Sequence, residues 1–197
     1  MAEAKKLGGA GLRGQVAGDT ALCTVGQTGT GLTYRGYDVT DLAENTTFEE
    51  VAYLLLKGEL PTQAELDAYK AKIRSHRALP EALRKTLELI PEDAHPMDVM
   101  RTGCSMLGNL ETEQDFSAQD EVVDRLMGAL PSIIVYWYRY SHDGVRIETA
   151  TDDDTIGGHF LHMLRGEAPN ELDVRVMSVS LILYAEHEFN ASTFTAR

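Results

Sequence analysis

His187 stands in the run "YAEHEFNASTFTAR", residues 184–197, between Glu186 and Glu188 and shortly before Asn190, Ser192 and Thr193. An imidazole, two carboxylates, an amide and several hydroxyls in one short segment can grip a polar ligand or hold a proton. They can equally satisfy one another as a structural network. A second cluster is "HFLH", in which His159 and His162 lie three apart beside Asp152, Asp153 and Asp154. Two imidazoles on one helix face suit a metal, but zinc asks for a third ligand at a defined position. The acidic run is more simply a helix N-terminus, where negative charge suits the dipole. "GAGLRG", residues 9–14, has the G-x-G-x-x-G spacing without a strand before it or a helix after it, so it is discounted as a dinucleotide site. "GQTGTG", residues 26–31, lacks the Lys-Ser/Thr ending of a phosphate loop and reads as a hairpin turn. His95 precedes a proline at a helix start, a structural corner. His76 and His142 fall in polar stretches expected to be exposed. "YWYRY", residues 136–140, reads as aromatic core or subunit contact, and Lys70, Lys72 and Arg74 as a solvated helix face. No Ser/His/Asp or Cys/His arrangement follows from spacing.

The elements that must carry these residues are mostly helical. "TALCTVG" and "LTYRGYDV" flank the Gly-rich turn and predict a β-hairpin over residues 20–39. "TFEE" and "TQAE" are capping-box signals that open helices at Thr47 and Thr62, the first closed by Gly58 and the second running to near Pro80. Helices over 80–90 and 96–107 follow, each with proline at a permitted position. Residues 111–119 form a polar connection. A long helix then starts at Asp120 and carries Pro131, which should kink it. "DDDTIGGHFLHMLRG" predicts a helix closed by Gly166. The last helix, from about Asn170, contains "VRVMSVSLILYAEHE" with apolar residues round most of its circumference. That predicts burial on nearly all sides, with His187 at its end. Such burial leaves the two readings of His187 open: a satisfied core network, or the wall of a binding site.

Composition narrows the function classes. The 197 residues, 43% hydrophobic and 25% charged, are those of an ordinary soluble globular chain. No apolar run spans a bilayer and no signal core opens the chain, so a cytoplasmic location is expected and no membrane partner. Cys23 and Cys104 are far apart, as expected of reduced thiols. A formal charge of −13 argues against nucleic acid. It also makes the chain a poor lone host for an anion.

The segment "YAEHEFNASTFTAR" resembles the H-E-x-N-A-S-T stretch of the citrate synthase family. "LTYRGYD", "FEEVAYLLLKGELPT", "HPMDVMRTG", "YWYRYS" and "IGGHFLHML" occur in the order that family shows, from about residue 19 to the end. Within the family, Phe189, Phe194 and "ETATDDDTIGGHFLHML" look closest to the 2-methylcitrate synthases of propionate catabolism. The resemblance implies a multi-helical large domain with a short N-terminal β-hairpin. It also implies a homodimer that condenses propionyl-CoA, or acetyl-CoA, with oxaloacetate and then hydrolyses the thioester. No metal and no cofactor is implied, the CoA thioester being substrate.

By the same resemblance His187 binds oxaloacetate, while Asn190 and Ser192 support it. No catalytic residue is expected within 1–197: the family's two catalytic histidines, its catalytic aspartate and its carboxylate-binding arginines correspond to positions after Arg197. Residues 1–18 are expected to be a flexible lead-in, and 19–197 the N-terminal part of the helical domain, inactive alone. Two other classes compete. One is a non-catalytic helical dimerisation module; the other is a metal protein using His159 and His162.

Overall fold

The computed structural model describes residues 18–26 and 31–196. All but the last residue of the expected lead-in, including "GAGLRG", and the centre of the "GQTGTG" turn therefore lie outside the described residues. Strands β1 (Cys23–Val25) and β2 (Leu32–Tyr34) form the expected antiparallel hairpin, with Cys23 opposite Tyr34. A turn at Arg35 and Gly36, both at positive φ, adds a two-residue third strand, β3 (Tyr37–Asp38). Asp38 then caps a helix the hairpin reading missed, α1 (Val39–Asn45), by accepting from the Thr40 amide at 2.7 Å. The aspartate side chain satisfies one of the four amides that every helix start leaves open.

Both capping boxes form. Thr47 opens α2 (Phe48–Lys57), which Gly58 closes in the left-handed region, and Thr62 opens α3 (Gln63–Ser75). α3 stops short of Pro80 because the chain beyond it has other partners. Arg77, 2% exposed, donates to the carbonyls of Thr151, Asp153 and Thr155, and the Leu79 amide donates to the Thr149 hydroxyl. α4 (Glu81–Glu88) follows Pro80, and α5 (Pro96–Leu110) begins at His95, whose Nδ1 accepts from the Met97 amide at 3.2 Å. His95 is thus the structural corner expected.

The connection 111–119 holds a 3₁₀ turn at Phe116–Ala118. It leads into α6 (Gln119–Asp143), which continues through Pro131 and contributes Ala129, Ile133, Tyr136 and Trp137 to a core shared with α4 and α5. Tyr136 and Trp137 make the first half of "YWYRY" core, whereas Tyr138 is 40% exposed. α6 lies close to the end of α3: a Cβ on Gly128 would sit 2.4 Å from the Ile73 carbonyl oxygen.

α7 (Ile156–Arg165) begins at Thr155 and ends at Gly166; α8 (Glu171–Leu183) begins at Asn170; α9 (Ala191–Ala196) closes the described chain. The acidic run lies directly before the Thr155 cap of α7, and its Asp153 meets His162 of that helix. Two expectations need correction here. Asp154 pairs with Lys70 and Arg74, while Lys72 pairs with Glu121 and Asp124. The basic face of α3 is therefore ion-paired. Finally, α8 is not buried all round. Ser178 and Ile182 face inward, but Leu172, Val176 and Leu183 are 71%, 56% and 50% exposed. One face packs on α1, α2 and α7, and an apolar stripe remains uncovered. Among the described residues no helix is long and apolar enough to cross a membrane.

Candidate substrate-binding site

α8 ends four residues before His187. Tyr184 caps it by donating to the Ser180 carbonyl, and the chain then turns through residues 185–190 into α9. The turn includes Glu188 at φ +63°, a left-handed conformation that costs a non-glycine residue about 1–2 kcal/mol. Neighbouring groups hold it there. The Glu188 amide donates to Cys23 Sγ at 3.1 Å, and the Glu186 amide donates to Tyr34 Oη at 3.3 Å.

His187 is exposed, not sealed in a core network. With Asn190 it lines a cavity of ≈ 210 Å³, whose walls are Thr20, Leu22, residues 184–190 and Thr193. Asn190 also starts α9: its Oδ1 accepts from the Thr193 amide at 2.8 Å and its carbonyl from the Phe194 amide at 2.9 Å. Ser192 sits in the first turn of α9, exposed, and is not among the lining residues. Phe189 lines the cavity; Phe194, 43% exposed, does not. Among the described residues the lining includes no lysine or arginine, and two carboxylates flank the imidazole.

The second histidine cluster is structural. His159 is 1% exposed, with Nδ1 2.9 Å from the Thr151 hydroxyl and Nε2 3.0 Å from the Ser132 hydroxyl. Burial, reinforced by the nearby Arg77 charge, pushes its pKa down to about 3, so the ring is neutral. His162 Nδ1 lies 2.8 Å from Asp153 Oδ2. Burial opposes ionisation of Asp153, but hydrogen bonds from Thr151 and His162 outweigh it and hold the carboxyl below its usual range. A larger open cavity of ≈ 590 Å³ lies beside this pair, lined by Glu148, Asp152 and Asp153 among others. Among the described residues no group of three or more ligating side chains converges on a metal position. His76 is half-buried, its Nε2 3.2 Å from Glu121, whereas His142 is exposed and stacks on Tyr138.

Sequence reasoning missed Cys23 and Tyr34 as neighbours of the His187 turn, and Thr20 and Leu22 as walls of its cavity. Nothing in spacing joins residues about 160 positions apart. Only the hairpin register, which puts Cys23 and Tyr34 side by side on the buried face, reveals them.

Comparison with known proteins points to one family. Residues 11–197 match the family described as citrate synthase, C-terminal domain. Over its full length the chain is 73% identical to the 2-methylcitrate synthase of Shewanella oneidensis and covers 52% of that protein. Over 95% of its length it is 42% identical to 2-methylcitrate synthase 2 of Corynebacterium glutamicum, covering 51%. Among solved structures it resembles citrate synthase from Thermotoga maritima, at TM-score 0.78 and 33% identity over 94% of this chain and 49% of that one. It also resembles citrate synthase from Thermoplasma acidophilum, solved as a ternary complex with carboxymethyl coenzyme A and oxaloacetate; there the TM-score is 0.84 and the identity 26% over 92% of this chain and 48% of that one. The chain spans about half the length of the curated relatives it matches. It belongs to the citrate synthase family.

Proposed function

We propose that these residues are part of a 2-methylcitrate synthase, which condenses propionyl-CoA with oxaloacetate and hydrolyses the thioester to release 2-methylcitrate and CoA. The observation that carries this reading is the 73% identity to the Shewanella oneidensis 2-methylcitrate synthase across the whole chain. His187, open on the cavity wall, is the oxaloacetate ligand, a ring N–H donating to a substrate oxygen. Asn190 supports it by fixing the turn into α9, and Ser192 from the first turn of that helix. Two carboxylates flank the imidazole and the described lining residues include no lysine or arginine, which supports a reading in which other parts of the enzyme supply the cations for a dicarboxylate; the family resemblance places the proton-transfer groups there too. The uncovered stripe on α8 supports a homodimer, since exposed apolar area of this kind marks an association surface.

A second reading, citrate synthase using acetyl-CoA, is favoured by the 39% identity to the citrate synthase of Mycolicibacterium smegmatis. The two differ by one methylene in the acyl pocket, about 1–3 kcal/mol of discrimination. The test is kcat/KM of the complete enzyme with each thioester, followed by CoA release. Propionyl-CoA should win by about tenfold or more; preference for acetyl-CoA selects the second reading. The purified 197-residue chain should release no CoA from either.

A further inference from the structure

β1 begins and β2 ends against the turn that presents His187. Cys23 and Tyr34 are direct partners across the antiparallel pair, so both side chains point to one face, and they are 5% and 0% exposed. Tyr34 Oη donates to the Ile182 carbonyl at 2.9 Å and accepts from the Glu186 amide at 3.3 Å. Cys23 Sγ accepts from the Glu188 amide at 3.1 Å and donates to Glu186 Oε1 at 3.6 Å. The bonds thus run from the last turn of α8 to the residue after His187 and fasten the backbone on both sides of the imidazole. Burial raises the pKa of the Cys23 thiol and of the Tyr34 hydroxyl, so both stay protonated at neutral pH.

We propose that Cys23 and Tyr34 act as positioning residues for the substrate-binding histidine. They hold residues 186–188, with Glu188 in its left-handed conformation, so that the exposed His187 ring faces the cavity. This rests on His187 being the oxaloacetate ligand. A ring that is exposed is directed by its backbone, and displacement of a binding group by about 1 Å can cost up to about 100-fold in rate.

The experiment compares Cys23→Ala, Cys23→Ser, Tyr34→Phe and His187→Ala in the complete enzyme. Oxaloacetate and acyl-CoA are titrated separately, and amide hydrogen exchange is followed at Glu186 and Glu188. Tyr34→Phe keeps the buried ring and so tests the hydroxyl alone; Cys23→Ser keeps a donor and acceptor. The expected result is a rise of about tenfold in the oxaloacetate KM for Cys23→Ala and Tyr34→Phe, the equivalent of one lost hydrogen bond. The acyl-CoA KM stays unchanged, exchange quickens at Glu188 and Glu186 respectively, and Cys23→Ser recovers most of the affinity. An oxaloacetate KM within about twofold of wild type in both Cys23→Ala and Tyr34→Phe, beside a crippled His187→Ala, overturns the positioning role and leaves the site standing. An unchanged oxaloacetate KM in His187→Ala overturns the assignment of His187, and the positioning role with it.

Discussion

His159 should make the protein acid-labile, and the size of the effect follows from its surroundings. The ring is 1% exposed, both nitrogens are engaged by hydroxyls, and its pKa falls from 6.5 to about 3. The unfolded chain takes up a proton at this imidazole below about pH 6.5, and the folded chain does not until near pH 3. Acid therefore favours unfolding throughout that window, by about 1.4 kcal/mol for each pH unit below 6.5. At about pH 5 the loss amounts to roughly 2 kcal/mol. Glu49 works in the opposite direction: it is 1% exposed and burial raises its pKa, so the folded state binds that proton more readily than the unfolded one. A comparison with His159→Gln removes Glu49 and every other common group from the balance. The assay is urea unfolding at neutral pH and at about pH 5 for both proteins. Between the two conditions wild type should lose about 2 kcal/mol more than the variant. Equal losses, within about 0.5 kcal/mol, would show that the ring is protonated in place and that its burial has been misread.

Arg77→Met strips a buried guanidinium from three carbonyls of the 151–155 segment and should cost about 3–5 kcal/mol, read as a lower urea midpoint. A loss below about 1 kcal/mol refutes its role as the anchor of that segment. Gly128→Ala drives a Cβ to 2.4 Å from the Ile73 oxygen and 2.8 Å from His76 Cβ. Because the nearest obstacle is backbone, it should cost about 1–3 kcal/mol and lower Tm by several degrees; an unchanged Tm refutes the close approach of α6 to α3. Phe189→Gln exchanges an apolar wall of the His187 cavity for an amide. It should shift kcat/KM towards acetyl-CoA by about tenfold in the complete enzyme, and an unaltered ratio removes Phe189 from acyl selection.

Local chemistry was the legible part of the fold. Thr47 and Thr62 announced their helices because a hydroxyl and a carboxylate three residues apart close a capping box within one turn. Gly58 and Gly166 announced two helix ends for a similar reason. Long-range pairing hid the rest. Nothing near Arg77 says that its guanidinium will cap carbonyls at residues 151–155, so the end of α3 was placed too late. The apolar circumference of α8 is plain in its residues, but the burial it implied is only half present, because the described residues pack against one face of the helix. At the site, His187 was visible from its segment, whereas Cys23 and Tyr34 reach it only through the register of a hairpin.

The charges of the chain bear on what this half of the fold can bind alone. Every lysine and arginine among the described residues already has an intramolecular partner. Lys57, Lys70, Lys72 and Arg74 pair with carboxylates. Arg84, Lys85, Arg101, Arg125, Arg139, Arg146 and Arg165 do the same. Arg35, Arg77 and Arg175 donate to carbonyls. A dicarboxylate entering the His187 cavity would meet Glu186 and Glu188 with one imidazole to offset them, in a chain of formal charge −13. The attraction that normally gathers an anion is reversed in sign. Calorimetric titration of the 197-residue chain with oxaloacetate should therefore give a Kd weaker than about 1 mM, at which the binding free energy is only about −4 kcal/mol. Micromolar binding would mean that a cation now engaged in an ion pair, or one outside the described residues, is released to the ligand, and the division of labour inferred for this site would fail.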